Sequence, residues 1–302
     1  MRVFDLHCDT VFECILQGKS LMQNNLALDA ERCCRSQTHV QVFAFWIDDK
    51  FRGQSAYDNF IKQHDFFKNT LDQNSGRLSI YDSCNLKPHH CNALLAVEGG
   101  AALAGKIENI AELKKRNISI LTLCWNAANE IASGVRAEGG FTSFGREVVA
   151  ELERQSIIVD VSHLNDTGFG ELCEFAEKPF IASHSNAFSI CQGLGRNLKD
   201  WQIKEIADRQ GIIGLNFCND FLGDHKNVGF DTISRHIEHF LGLGCENVLS
   251  LGSDFDGAET PEYLKSVGCL EEFYSDIKTR FGGVIAENIF YGNACNFFKK
   301  HI

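Results

Sequence analysis

Apolar positions in the chain gather into eight short runs, at residues 2–6, 40–47, 93–97, 118–123, 157–161, 180–182, 212–217 and 248–251. Each is rich in Val, Ile, Leu or Phe and shows no strict apolar/polar alternation, which is the pattern of parallel strands buried on both faces. Several of the stretches between them carry apolar residues at three- and four-residue spacing instead. Residues 144–154 put Val148, Val149 and Leu152 on one side, 201–209 group Ile203, Ile206 and Ala207, and 231–243 group Ile233, Ile237, Phe240 and Leu241. Those spacings predict helices with one buried face. Strand and helix alternating eight times predict an α/β chain closed into a (β/α)8 TIM-like barrel with an outer ring of helices. An open doubly wound sheet is the alternative, but no GxGxxG turn follows the first run.

Polar residues punctuate these runs at one end. Asp5-Leu6-His7-Cys8-Asp9-Thr10 spans the end of the first, Glu98-Gly99-Gly100 follows the third, Trp125 and Asn126 follow the fourth, Ser162-His163 the fifth and Ser183-His184-Ser185 the sixth. Ser253-Asp254-Phe255-Asp256-Gly257 follows the eighth. In a barrel all these positions are carboxyl ends of strands and open into one mouth, where barrel active sites are built. His7, Asp9, Glu98, His163, His184 and Asp254 are therefore expected to converge. Imidazoles and carboxylates of this kind suit zinc. His7 and Asp9, two apart, face the same way in an extended chain. With Glu98 they give one ion three ligands; His163 and His184, from neighbouring strands, give a second ion three if Glu98 bridges. Two ions so held can share a water as hydroxide. Taken singly, Asp9 and Asp254 also suit turns or helix caps, and Glu98 also suits an ordinary loop; it is their common placement that points to metal. His89, His90, His225, His236, His239 and His301 lack that placement and are expected at the surface.

Composition narrows the partners. The 302 residues carry 40 acidic against 29 basic side chains, a net charge of −11, so phosphate backbones and anionic lipid are repelled and neither nucleic acid nor membrane is an expected partner. Only three prolines occur, with no linker or low-complexity tract, so residues 1–302 read as a single domain. The 13 cysteines are odd in number, include the adjacent Cys33 and Cys34, and form no CxxC pair, so they predict free thiols in a reducing cytoplasm. The polar residues that interrupt the first apolar run predict no secretory leader, no run approaches the about 20 apolar residues of a membrane span, and a cytoplasmic location is expected.

The same stretches resemble the renal or membrane dipeptidase family of the metal-dependent amidohydrolase superfamily. The resemblance is carried by Asp5-Leu6-His7-Cys8-Asp9-Thr10, Ala96-Val97-Glu98-Gly99-Gly100, Phe144-Gly145-Arg146-Glu147, Val159-Asp160-Val161-Ser162-His163, Ala182-Ser183-His184-Ser185, Gly195-Arg196-Asn197, Gly214-Leu215-Asn216-Phe217 and Gly252-Ser253-Asp254-Phe255-Asp256-Gly257, in order and nearly from end to end. It implies a binuclear zinc dipeptidase with the same ligand set: His7, Asp9, bridging Glu98, His163 and His184. It also implies Asp254 as acid and base, Arg196 as a substrate-binding residue, a small dipeptide or amide substrate, and a homodimer, which no motif in the chain encodes. Two positions depart from members similar to the mammalian enzyme. Trp125 stands where those carry a histidine after the fourth strand, and Cys218 where they carry a tyrosine after Asn-Phe. Trp125, Asn126 and Cys218 are thus expected to line the substrate pocket, and the two departures bear on substrate choice. The same metals could serve N-acyl amino acids, lactones or other small amides and esters, and a catalytically silent metal-binding barrel is a further alternative.

Overall fold

A computed structural model describes residues 1–223 and 228–302. Its strands are β1 (Arg2–Asp5), β2 (Thr38–Trp46), β3 (Leu78–Ile80), β4 (Cys91–Glu98), β5 (Ile118–Thr122), β6 (Ile158–Asp160), β7 (Ile181–Ala182), β8 (Ile212–Leu215) and β9 (Leu249–Leu251). Every pairing is parallel: β1 with β2, β2 with β4, then β4 through β9 in sequence order, and β9 back to β1. The β2–β4 pairing closes the ring, so eight strands form the expected barrel. The ninth, β3, is an addition that the apolar pattern missed. It pairs only with the first half of β4, Leu78 opposite Cys91, while β5 takes the second half from Leu95 onward.

Two layers of core hold the ring. Outside it, helices bury the faces their spacing predicts. The helix Ser143–Arg154 buries Val148, Val149 and Leu152, and its Thr142 cap accepts a hydrogen bond from the Gly145 N–H at 2.9 Å. The helix Phe230–Gly242 buries Ile233, Ile237 and Phe240, and with them His236. That corrects the expectation of a surface His236: its ring accepts from the Ala187 N–H at 3.2 Å and lies 3.0 Å from the Leu222 carbonyl. Inside the ring, Phe4, Val40, Val42, Leu94, Ile120, Ile158, Ile181 and Ile212 form a separate apolar cluster. It is completed by Phe297 and Phe298 of the last helix, Asn293–His301. The amino-terminal half of the barrel is therefore plugged by the chain's own end, and the carboxyl half is left for polar residues. His225 lies outside the described residues. No helix among those described is long and apolar enough to cross a membrane. All 13 cysteines are free and eight are buried, as small apolar residues would be.

Candidate metal centre

The site is assembled where the first and last barrel strands run past the ring. Asp9 N–H donates to the Phe255 carbonyl at 2.9 Å, Asp254 N–H to the His7 carbonyl at 3.2 Å, and Ser253 N–H to the Asp5 carboxylate at 2.8 Å. These bonds zip the first polar motif to the last, though 248 residues separate Asp5 from Ser253. His163 and Asp254 both adopt positive φ, 71° and 59°. A left-handed backbone costs a non-glycine residue about 1–2 kcal/mol, and such strain is typical of residues aimed into a site. Gly257 sits against the same carboxylates; a Cβ there would lie 2.0 Å from Asp9 Oδ2 and 2.5 Å from Asp254 Oδ1.

The six predicted residues are brought together, all at 7 % exposure or less. Glu98 lies at the centre. Its Oε1 is 2.9 Å from His163 Nε2 and 3.6 Å from His184 Nε2, while its Oε2 is 3.5 Å from His7 Nε2. One carboxylate oxygen thus meets His163 and His184 and the other meets His7, while the His7 and His184 ring centroids lie 3.8 Å apart. His7 Nε2 is 3.3 Å from Asp9 Oδ2, and His163 Nε2 is 3.0 Å from His184 Nε2. Ligand atoms of His7, Glu98 and His184, and of His7, Asp9 and Asp254, lie within 4.8 Å of one another.

What orients these rings was not foreseen in the sequence. His163 Nδ1 is 3.1 Å from Asn126 Oδ1, so it carries the proton and leaves Nε2 free. Asn126 lines the cavity, and it also fixes this imidazole. The case of His184 is tighter. Ser183 Oγ is 2.6 Å from Asp160 Oδ2, a buried carboxylate that can only accept, so the single hydroxyl proton goes there. His184 Nδ1, 2.7 Å from the same Oγ, must therefore donate to it. Asp160 is held in turn by the Ser162 and Ser183 N–H groups and the Thr122 hydroxyl. Asn216 Nδ2 donates to Asp254 Oδ2 at 3.0 Å. Hydrogen bonds behind metal-binding imidazoles fix tautomer and orientation in this way.

The charges need a cation. Burial, reinforced by the Glu98 charge, pushes Asp9 up to about 7. Burial also raises Asp254, against the pull of the His7 charge. For His7 burial lowers the pKa, but the Glu98 and Asp9 carboxylates overturn it and leave the ring well above the ordinary value. Burial opposes ionisation of Glu98 too, and is outweighed by His7 and His163, which hold it well below the carboxylate range. His163 falls to about 4 through burial and the Arg196 charge, and His184 is driven well down by burial, His7 and Arg196. Neutral His163 and His184, beside the buried carboxylates of Glu98, Asp9 and Asp254, form a donor set suited to divalent metal. His7 Nε2 and Asp9 Oδ1 are buried without a hydrogen-bond partner, as atoms reserved for an ion are.

Above this floor opens a cavity of about 490 Å³. Arg196, Trp125, Asn126 and Cys218 all line it. Arg196 donates to Ser185 Oγ at 2.8 Å and to the His184 carbonyl at 3.0 Å, while its Nε has no partner. Phe12, Trp46 and Trp125 stand edge to face at 4.7 and 5.0 Å, a continuous aromatic wall.

Residues 1–300 match the family model described as membrane dipeptidase, peptidase family M19. The chain belongs to the membrane dipeptidase family. Membership makes this family protein a peptide-bond hydrolase dependent on metal. It is 29 % identical over 238 residues to an uncharacterized protein in the pqqA 5' region of Klebsiella pneumoniae, covering 73 % of this chain and 88 % of that one. An uncharacterized dipeptidase of Schizosaccharomyces pombe is 27 % identical over 218 residues, 70 % of this chain but only 52 % of the yeast protein. In structure, the chain is similar to a metallo peptidase from Rhodobacter sphaeroides liganded with a phosphinate mimic of the dipeptide L-Ala-D-Ala, at TM-score 0.93 and 21 % identity over 100 % and 99 % of the two chains. A probable dipeptidase of Pseudomonas aeruginosa shares the fold at TM-score 0.87 and 14 % identity, over 100 % and 96 %.

Proposed function

We propose that this family member is a binuclear zinc dipeptidase, working as one barrel unit over residues 1–302. The observation that carries the reading is Glu98, whose Oε1 faces His163 and His184 and whose Oε2 faces His7. His7, Asp9 and Glu98 would hold one ion, and Glu98, His163 and His184 the other. When bound, two such ions supply Lewis acidity to a carbonyl and to water. The chain's own groups do the rest. Asp254, raised by burial and steadied by Asn216, takes a proton from the attacking water and hands it to the departing amine. Arg196, whose side chain lines the cavity, holds the substrate carboxylate by charge-assisted hydrogen bonds. Trp125, Asn126 and Cys218 shape the wall around the scissile bond. The thirteen free thiols support a reducing compartment, the cytosol.

The test is zinc-loaded protein against a panel of L,L and L,D dipeptides, with Asp254→Asn alongside. Turnover that needs Asp254 is expected; a panel without such turnover counts against the assignment. A second reading, hydrolysis of N-acyl amino acids, is favoured by the aromatic wall of Phe12, Trp46 and Trp125, which suits a bulkier acyl group. An N-acyl panel run in parallel separates the two.

A further inference from the structure

The barrel mouth contains one hydrogen-bond cradle twice. One copy is built on Asp160, the last residue of β6, and the other on Asp5, the last residue of β1. In each, one carboxylate oxygen accepts two backbone N–H groups. Asp160 Oδ1 takes those of Ser162 at 3.0 Å and Ser183 at 2.9 Å, and Asp5 Oδ1 those of His7 at 3.4 Å and Ser253 at 2.8 Å. The other oxygen accepts two side-chain donors. Asp160 Oδ2 takes the Ser183 and Thr122 hydroxyls, both at 2.6 Å, and Asp5 Oδ2 takes the Ser253 hydroxyl at 2.5 Å and the Gln41 amide at 3.1 Å. The donors also come from equivalent places. Ser162 and His7 lie two residues after their carboxylate. Thr122 and Gln41 are its register partners on one neighbouring strand. Ser183 and Ser253 lie two residues after its register partners on the other, Ile181 and Leu251. Both carboxylates and all four side-chain donors are buried. β1 and β6 face each other across the ring, with β2, β4 and β5 between them on one side and β7, β8 and β9 on the other.

Each cradle grips the residue before a strained one. Ser253 precedes Asp254, at φ 59°, and Ser162 precedes His163, at φ 71°. Left-handed backbone at a non-glycine residue persists only where its surroundings hold it. On the β6 side, Asp160 takes the Ser183 proton and so turns the Ser183 oxygen toward His184 Nδ1. On the β1 side, Ser253 Oγ lies 3.1 Å from the His7 carbonyl, which itself accepts from the Asp254 N–H at 3.2 Å. His7 and Asp254 therefore hang on one carboxylate, and His163 and His184 on the other. Gln41 is fixed in turn: its amide nitrogen faces Asp5, so its Oε1 accepts from His39 Nε2 at 3.2 Å. We infer that Asp5 is a positioning residue, the counterpart of Asp160. It sets the ion beside His7 and Asp9 and the aim of Asp254, while Asp160 sets the ion beside His163 and His184. This assignment rests on the reading that two ions flank Glu98.

Asp5→Asn and Asp160→Asn each replace one accepting oxygen by an NH2 group and remove the charge that strengthens the cradle's bonds. The expected loss is about 10- to 100-fold in affinity for the ion on that side, the usual effect of weakening the support behind a metal ligand. As a chelator withdraws zinc, Asp5→Asn should empty the position beside His7 and Asp9 first. Asp160→Asn should empty the position beside His163 and His184 first. Nitrogen chemical shifts of labelled histidine follow the three imidazoles separately, and anomalous occupancies in crystals at graded zinc locate the loss. These readouts need no substrate. At saturating zinc, kcat on dipeptides should return to near wild type in Asp160→Asn. In Asp5→Asn it should stay about 10- to 100-fold down with KM little changed, because Asp254 is no longer aimed. Ser253→Ala, a milder cut in the same cradle, should repeat the Asp5→Asn pattern at smaller size, and Ser253→Thr should reverse it. That pair decides the matter if Asp5→Asn does not fold. A merely structural role would weaken both positions alike in either variant. That result, the opposite order of emptying, or a kcat that zinc restores in Asp5→Asn overturns the assignment. If wild type holds two ions flanking Glu98 and the variants show no such crossover, the role of Asp5 alone falls. If wild type holds fewer than two, the binuclear reading falls and takes this role with it.

Discussion

Removal of one hydroxyl should loosen the metal centre without touching a ligand. Ser183 Oγ gives its proton to Asp160 at 2.6 Å and receives the Nδ1 proton of His184 at 2.7 Å. In Ser183→Ala, His184 has two options, and both are costly. It keeps the Nδ1 proton, now a buried donor with no acceptor, at about 1–3 kcal/mol. Or it moves the proton to Nε2 and removes the lone pair that faces Glu98. Since 1.4 kcal/mol is a factor of ten, the first route alone predicts a loss of about 5- to 150-fold in metal affinity, which brackets the roughly 10- to 100-fold seen for partners of metal-binding imidazoles. Asp160 keeps the Thr122 hydroxyl and two backbone donors, so the fold should survive, with far-UV circular dichroism unchanged. Competition against a chromogenic chelator measures the affinity, and nitrogen chemical shifts of labelled histidine report the tautomer. Ser183→Thr, which restores the hydroxyl, should recover most of the loss. Wild-type affinity in Ser183→Ala, with His184 still protonated at Nδ1, would refute the reasoning.

Other perturbations address separate parts of the account. Asp254→Asn should lower kcat by about 10²–10⁴-fold, the usual weight of a general acid–base group, while elemental analysis finds the bound metal unchanged; activity within tenfold of wild type contradicts the role. Gly257→Ala puts a methyl 2.0 Å from Asp9 Oδ2, and overpacking of this kind costs about 1–3 kcal/mol, so metal affinity should fall by about 5- to 150-fold. Affinity unchanged in that variant means that the carboxylates are not held as described. His236 is buried neutral, its pKa lowered from 6.5 to about 4 mainly by burial. The unfolded chain therefore takes up a proton first as pH falls, so the stabilisation is complete above pH 6.5 and is lost towards pH 4. The linkage predicts a loss of about 2 kcal/mol from this residue between pH 8 and pH 5. Urea unfolding of wild type and His236→Gln at both pH values measures it, and equal acid sensitivity in the two proteins argues against it.

The barrel was legible because its strands are buried on both faces and so stand out as apolar runs. The eight predicted runs each overlap one strand of the ring, with ends displaced by at most two residues. Leu78–Ile80 escaped because Ser79 interrupts its three residues, so they form no apolar run. The candidate ligand residues were legible for a related reason. A polar residue at the end of such a run has no place in either core layer, and several of them at the same end mark a common site. Their supports were not. Whether Ser183 meets Asp160, or Asn126 meets His163, depends on how neighbouring strands register, and nothing local in the sequence records that. His236 is a different case, because the signal was present. It sits three residues after Ile233 and four before Phe240, on the buried face of its helix, and its polarity hid a position that the spacing had already assigned.

The central claim is that Glu98 divides two ions between two groups of ligands at the barrel mouth. X-ray anomalous scattering at the zinc edge, from crystals of zinc-loaded protein, tests it most directly. The account predicts two peaks per chain flanking Glu98, one beside His7 and Asp9 and the other beside His163 and His184. A single peak, peaks away from Glu98, or none at all would contradict it.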